Sequence, residues 1–439
     1  MTALQSLHAL DSLSPARRVG RVHEIMSTHI EATGPLCSLG DVCEIQTDDG
    51  GRLAEVAAIK DARVVLVPFE QANSIQPGAR VEARSRRSGV PVGDAFAGRI
   101  VNAFGAPLDG LAAPLAETSY PVEGRVLAPL DRQEPSAILE TGIRAIDAMT
   151  PIGRGQRIGV FSASGVGKTS LIRQLIQQSA CDRIVVCLVG ERGREVELIW
   201  SELSKAGRAN AYTCVAATSD QTAPMRTRAV ASALALGEYW RDRGEHVLLI
   251  VDSVTRYAMA LREIGLAAGA PPTQRAYTPN VFAALPRLVE RCGASKAGGA
   301  ISAIFTVLAE TDDVDDPIAE AMKALLDGHI VLSRVIAEQG RFPAVDILRS
   351  VSRQAERLST PAHSAAARRV TAILSAYEDA RLMIESGVYK SGASAEIDTA
   401  IRERPRIVEF LRQTQHDRTP LEETLRRLSA LGLGGGARV

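Results

Sequence analysis

The sequence predicts a three-part α/β protein: an N-terminal β-barrel or sandwich, a central parallel sheet covered by helices, and a C-terminal helical bundle. Three observations carry this. Short alternating runs separated by Gly and Asp turns fill residues 21–83, runs rich in Val, Ile and Leu alternate with helical stretches over 141–348, and beyond Ser350 only helical periodicity remains. At 439 residues the chain exceeds what one hydrophobic core usually supports, so two or three domains are expected. They are placed at 1–95, 96–350 and 351–439.

At the start of the chain, Leu4, Leu7, Leu10 and Leu13 recur at helical spacing and predict a short amphipathic helix. It either packs on its own domain or docks on a partner or bilayer surface. Val42–Ile45, Glu55–Ile59 and Arg63–Pro68 read as strands of the first domain. A Gly/Pro-rich connector then runs through Gly89–Gly93 and Gly105–Gly110 to Pro129. In the central part Arg157–Phe161, Arg183–Val189, His246–Val251 and Ala300–Leu308 are apolar enough to be buried on both faces, which is the mark of a parallel sheet between helical layers. Ala365–Ser386, Ala395–Thr414 and Pro420–Leu431 carry helical periodicity and form the final bundle.

Lys+Arg and Asp+Glu both number 51, and aromatic residues make up 4%; this composition argues against a nucleic-acid partner. The cysteines Cys37, Cys43, Cys181, Cys187, Cys214 and Cys292 form no CxxC pair and sit mostly in apolar runs, as reduced, buried thiols of a cytoplasmic protein do. No apolar stretch reaches the ~18 residues a spanning helix requires, and the N-terminus lacks the pattern of a cleavable leader. The expectation is a protein that neither crosses a membrane nor is secreted.

The strand Arg157–Phe161 runs into Ser162-Ala163-Ser164-Gly165-Val166-Gly167-Lys168-Thr169-Ser170 and then a helical stretch, the strand, glycine loop and helix order of a P-loop. Residues 164–170 are the expected ATP-binding loop. Gly165 and Gly167 let backbone N–H groups close on phosphates at a helix N-terminus, where the macrodipole favours anions. Lys168, one of only six lysines, would neutralise the transferred phosphoryl group, and the Thr169 hydroxyl would bind Mg2+. The strict pattern begins with Gly, where this chain has Ser162. The strand His246–Val251 delivers Asp252 to the sheet's C-terminal edge as a second Mg2+ ligand, acting through water, and Arg183–Gly190 delivers Glu191 and Arg192 to the same edge. Glu191 is the candidate water-orienting acid. Glu195 and Glu197 read as a solvated face or ion-pair partners.

The run Gly190-Glu191-Arg192-Gly193-Arg194-Glu195-Val196 is similar to a segment of the type III protein-export ATPases, relatives of the F1-ATPase β-subunit. Further matches are Asp252–Ala258, Pro271–Thr273, Leu285–Arg291, Asp327–Arg334 and Gly387–Gly392, so that the resemblance spans about Gly20 to Arg412. It implies a β-barrel, a RecA-like ATPase core and a C-terminal helical domain, assembled as a homohexamer with sites between subunits. It also implies roles by position: Glu191 as catalytic glutamate, Lys168 and Thr169 as the P-loop pair, and Asp252 as the Walker B acid. Arg353 matches the arginine finger that reaches into a neighbour's site, and Phe342 the aromatic against adenine, although Phe342 by itself could equally be core. Arg192 is expected at the γ-phosphate, with an ion pair to Glu195 as the alternative.

The function so implied is a Mg-ATP-hydrolysing motor of flagellar or injectisome export, peripheral at the cytoplasmic face of the inner membrane. It would release chaperones, unfold cargo at a membrane export gate, and work with stator and central-stalk proteins. A rotary ATP synthase-type subunit shares this chemistry, but one chain here carries both Glu191 and Arg353, whereas rotary rings divide such roles between two subunit types. A Rho-like RNA translocase is the alternative from another class, opposed by the neutral charge and few aromatics.

Overall fold

The computed structural model describes residues 18–71, 73–84, 89–204, 209–308 and 316–432. The expected helix through Leu4, Leu7, Leu10 and Leu13 lies outside the described residues. Six strands, β1 (Val19–Ile25), β2 (Ile30–Thr33), β3 (Val42–Thr47), β4 (Gly50–Lys60), β5 (Arg63–Pro68) and β6 (Arg80–Ala83), close into a barrel in the order β1-β2-β5-β4-β3-β6. The period-2 pattern sends Val22, Ile30, Ile45, Val56, Leu66 and Val81 inward to one cluster. Closure leaves no strand edge, which decides between the barrel and the sandwich that the sequence left open.

The connector contributes β7 (Val90–Val92), paired with β9 (Thr118–Tyr120), and β8 (Arg99–Val101), which joins the central sheet. That sheet continues with β10 (Arg132–Gln133), β11 (Arg157–Ser162), β12 (Arg183–Val189), β13 (Tyr212–Ala217), β14 (His246–Asp252), β15 (Gly293–Ser295), β16 (Ala300–Leu308), β17 (Gly328–Leu332) and β18 (Val345–Ser352). Its main order is β18-β17-β11-β16-β14-β12-β13-β8, parallel throughout except for β18. Side chains of one strand feed two cores: Val185, Cys187 and Val189 enter the cluster on one face, while Ile184, Val186 and Leu188 enter the other. Burial on both faces is why these strands are continuous apolar runs rather than alternating ones.

Beyond β18 come the helices Pro361–Glu385, Ala395–Leu411 and Leu421–Gly432. Sequence periodicity locates all three, whereas the strand signal read to end at Ser350 continues in β18 to Ser352. The helical part is bolted to the core by buried polar contacts rather than by apolar area alone. Arg144 donates from Nε to the Phe410 carbonyl at 2.6 Å and from Nη1 to Thr419 Oγ1 at 2.9 Å. Gln413 donates to the Gly142 carbonyl at 2.7 Å, and its own amide reaches the Phe342 carbonyl at 2.8 Å. Gln178, at the end of the helix that begins at Lys168, donates to the Gln415 carbonyl at 3.0 Å. The helix holding the candidate phosphate site is thus in direct contact with the C-terminal part. Among the described residues no helix is long and apolar enough to cross a membrane.

Candidate active site at the strand ends

β11 ends at Ser162, and residues 163–167 turn the chain into the helix Lys168–Gln178. Gly165 and Gly167 have φ of 79° and 97°, left-handed values that side chains other than glycine adopt only with strain. Val166 is buried at 2% exposure and pins the loop, while Ser164, Gly165 and Ser170 are exposed and Lys168 and Thr169 half-buried. No side chain caps this helix, so its first N–H groups are left to a ligand. Ser162, standing where the strict pattern has Gly, is buried with an Oγ that has no partner.

Sheet order then brings the charges together. β14 ends in Asp252, 3% exposed, whose Oδ1 accepts from Thr306 Oγ1 of the adjacent β16 at 2.6 Å and also pairs with Lys168 Nζ. Glu191 follows β12, and its Oε1 lies 3.7 Å from Lys168 Nζ without making a hydrogen bond. Lys168 therefore sits between two carboxylates at the C-terminal edge of a parallel sheet, the edge at which open α/β sheets bind ligands. Burial, with Lys168 opposing and the charges of Asp252 and Glu195 adding to it, pushes the Glu191 carboxyl up to about 7.

Two residues that sequence reasoning did not assign complete this arrangement. Thr306 orients Asp252, as just described. Arg256 stands beside Glu191, draws its pKa down, and has a buried Nε without a partner. Gly190, at φ 68°, makes room for it: a Cβ there would lie 2.9 Å from Arg256 Cβ. Arg256 lies within a motif matched above, but the approach to Glu191 runs across strands and leaves no local spacing to read.

The other expected residues fall in three places. Arg192 is exposed at the N-terminus of the helix Gly193–Leu203. Phe342 is 45% exposed, with its ring 3.6 Å from where a Cβ on Gly167 would stand, so the core reading of this residue is corrected: it is a surface aromatic flanking the phosphate loop. Arg353 is not in its own chain's site. β18 runs antiparallel to β17 with Ser352 opposite Gly328, which puts Arg353 at the edge where the parallel strands begin. There it is exposed and donates to the Lys323 carbonyl at 3.1 Å. The length of β11, six residues, separates that edge from the phosphate loop by about 20 Å.

The donor set fits Mg-ATP. Among the described residues no three His, Cys, Asp or Glu side chains gather to hold a metal on their own. The Thr169 hydroxyl and Asp252 carboxylate are the protein ligands on offer, and Mg2+ is commonly held by one or two such groups together with substrate phosphates.

Residues 22–84 match the ATP synthase alpha/beta family, beta-barrel domain, residues 142–352 its nucleotide-binding domain, and residues 359–430 the T3SS EscN ATPase C-terminal domain. The flagellum-specific ATP synthase of Bacillus subtilis is 44% identical over 94% of this chain and 95% of its own length. The chain belongs to the type III export ATPase family. Another member, the type 3 secretion system ATPase of Xanthomonas euvesicatoria, is 41% identical over 96% of both chains. The assembled ATPase EscN of the enteropathogenic E. coli type III secretion system superposes with a TM-score of 0.90 at 38% identity, covering 94% of this chain and all of that one. EscN solved in complex with its central stalk EscO gives 0.86 at 37% identity, with the same coverage. Like its family, this chain is an ATPase, built of a β-barrel, a nucleotide-binding core and C-terminal helices.

Proposed function

We propose that this protein is the homohexameric, Mg-ATP-hydrolysing motor of a bacterial type III protein-export apparatus, with each active site shared by two subunits. One observation carries the reading: Lys168, Asp252 and Glu191 converge at one edge of the sheet, while Arg353 is exposed at the other. A ring whose subunits meet head to tail brings opposite edges together, and its interface is heterologous. That EscN was solved as an assembled ATPase supports such packing.

The loop 164–170 and Lys168 hold the triphosphate, and Phe342 borders the base. Mg2+, held by Thr169 and by Asp252 through water, would supply charge neutralisation at the phosphates. Glu191 orients a water and takes its proton as the water oxygen bonds to the γ-phosphorus and the bond to the ADP oxygen breaks. Arg353 of the neighbour, with Arg192 and Arg256, balances the negative charge of the transferred group. The Gln178 contact to the C-terminal part supports transmission of this change to the helical domain. There it would release chaperones and unfold cargo at the export gate, alongside stator and central-stalk proteins. The complex of EscN with EscO supports the stalk partner. The protein would sit at the cytoplasmic face of the membrane.

The direct test is ATPase rate against protein concentration, with parallel mass measurement and with RNA added or withheld. The rate per subunit is expected to climb as hexamers form, to ignore RNA, and to fall at least about 100-fold in Glu191→Gln. Full activity in a monomer, or a rate that depends on RNA, would overturn the proposal.

Two further outcomes follow from the geometry. A carboxyl titrating near 7 is protonated below that pH and cannot take the proton of water. kcat/KM, which reports the free enzyme's groups, is therefore expected to rise with pH through about 7 and level off above it. In Glu191→Gln the residual rate should lose that dependence. Phe342→Ala removes an exposed ring and leaves the fold intact. It is expected to raise KM for ATP about fivefold or more with kcat little changed, since base–aromatic stacking contributes roughly 1–3 kcal/mol.

A further inference from the structure

A cavity of about 340 Å³ opens between the helix Arg334–Glu338, strand β18 and the helices Pro361–Glu385 and Ala395–Leu411. Four arginines line it, Arg341, Arg349, Arg381 and Arg404, together with Asp346 and Glu378; Arg349 and Arg381 are engaged by other groups, which leaves Arg341 and Arg404. Each carboxylate already has a partner, and that of Glu378 is Arg381, one of the four arginines. Asp346 Oδ1 accepts from the amides of Leu348 and Arg349 at 3.1 and 3.2 Å, and Glu378 Oε1 accepts from Arg381 at 2.7 Å.

Arg341 is 9% exposed, donates from Nη2 to the Val345 carbonyl at 2.9 Å, and has a buried Nε with no partner. Arg404 lies over the Tyr377 ring, 4.2 Å from its centroid. Burial, with Asp346 opposing and the charge of Arg404 adding to it, lowers the Arg341 pKa, and Arg341 and Arg404 line the same cavity. Among the described residues neither has an ion-pair partner. Two like charges, one of them buried, beside an empty volume of ligand size are stabilised by an anion between them.

We propose that this cavity is a second anion site that takes a small phosphoryl-bearing molecule, as free diphosphate or as the phosphates of a nucleotide. Guanidinium forks match phosphate oxygens in pairs, and Ile336, Ile347 and Leu374 offer an apolar wall to any attached group. The site joins the segment Gly340–Ser352, which carries Phe342 at one end and leads to Arg353 at the other, to the C-terminal helices. An occupant would fix both residues relative to those helices and so tune ATP turnover.

The test is calorimetric titration of the full chain with pyrophosphate, and separately with ADP, both without Mg2+, in wild type, in Lys168→Ala, and in Lys168→Ala combined with Arg341→Gln or with Arg404→Gln. Arg404 is partly exposed, so its variant keeps the fold even if that of the buried Arg341 does not, and a thermal melt checks both. At least one probe is expected to bind Lys168→Ala, and to bind about tenfold or more weakly once Arg404 is replaced. Pyrophosphate binding as tightly as ADP identifies free diphosphate as sufficient, and tighter ADP binding identifies the nucleotide. Loss of all binding in Lys168→Ala, or binding unaltered by Arg404→Gln, would overturn the proposal.

Discussion

Lys168→Ala is expected to abolish ATP turnover, lowering the rate by about a thousandfold or more, because the transferred phosphoryl loses the charge that neutralises it. The effect has two parts here. The substitution removes the cation that touches phosphate, and it leaves the carboxylates of Asp252 and Glu191 facing the same space with nothing between them. Like charges so placed repel, so Glu191 should titrate higher still. Nucleotide binding should fall with turnover, and fluorescence titration with a labelled ATP analogue alongside a steady-state phosphate assay measures both. Turnover within tenfold of wild type would refute the role given to Lys168.

Arg353→Ala is expected to separate the two. The side chain is exposed and about a strand's length from its own phosphate loop, so its loss should leave folding and nucleotide binding close to wild type. Turnover should fall by about 10³–10⁵, the range an arginine finger supplies by stabilising charge in the transition state. A parallel fall in binding would mean that Arg353 acts within its own subunit or supports the fold.

How much of this was legible in the sequence follows from what each signal depends on. Strands buried on both faces must be apolar at every position, so β12 and β16 are found to the residue. β18 is an edge strand with exposed Leu348, Arg349 and Val351, and its signal fades early for that reason. Barrel closure depends on β1 pairing with β6 across most of the domain, which no local pattern reports. The phosphate loop reads clearly because loop, lysine and helix are contiguous. Asp252 and Glu191 read as strand-end acids, yet their approach to one lysine is set by sheet order. Arg256 and Thr306 stayed invisible because their contacts join elements far apart in sequence, a helix start to the end of β12 and β16 to β14, and Phe342 reads equally as core or surface until its exposure is known.

The claim most exposed to test is that two subunits share one site. Mixing Lys168→Ala with Arg353→Ala, each nearly inactive alone, and following phosphate release after the subunits exchange measures it directly. In a mixed ring some interfaces join an intact phosphate loop from one variant to an intact Arg353 from the other. Activity is therefore expected to return, to about a quarter of the wild-type rate at equal mixing if interfaces act independently. If the mixture stays as inactive as its components while mass measurement shows mixed rings, each chain carries its own complete site and the shared-site account is wrong.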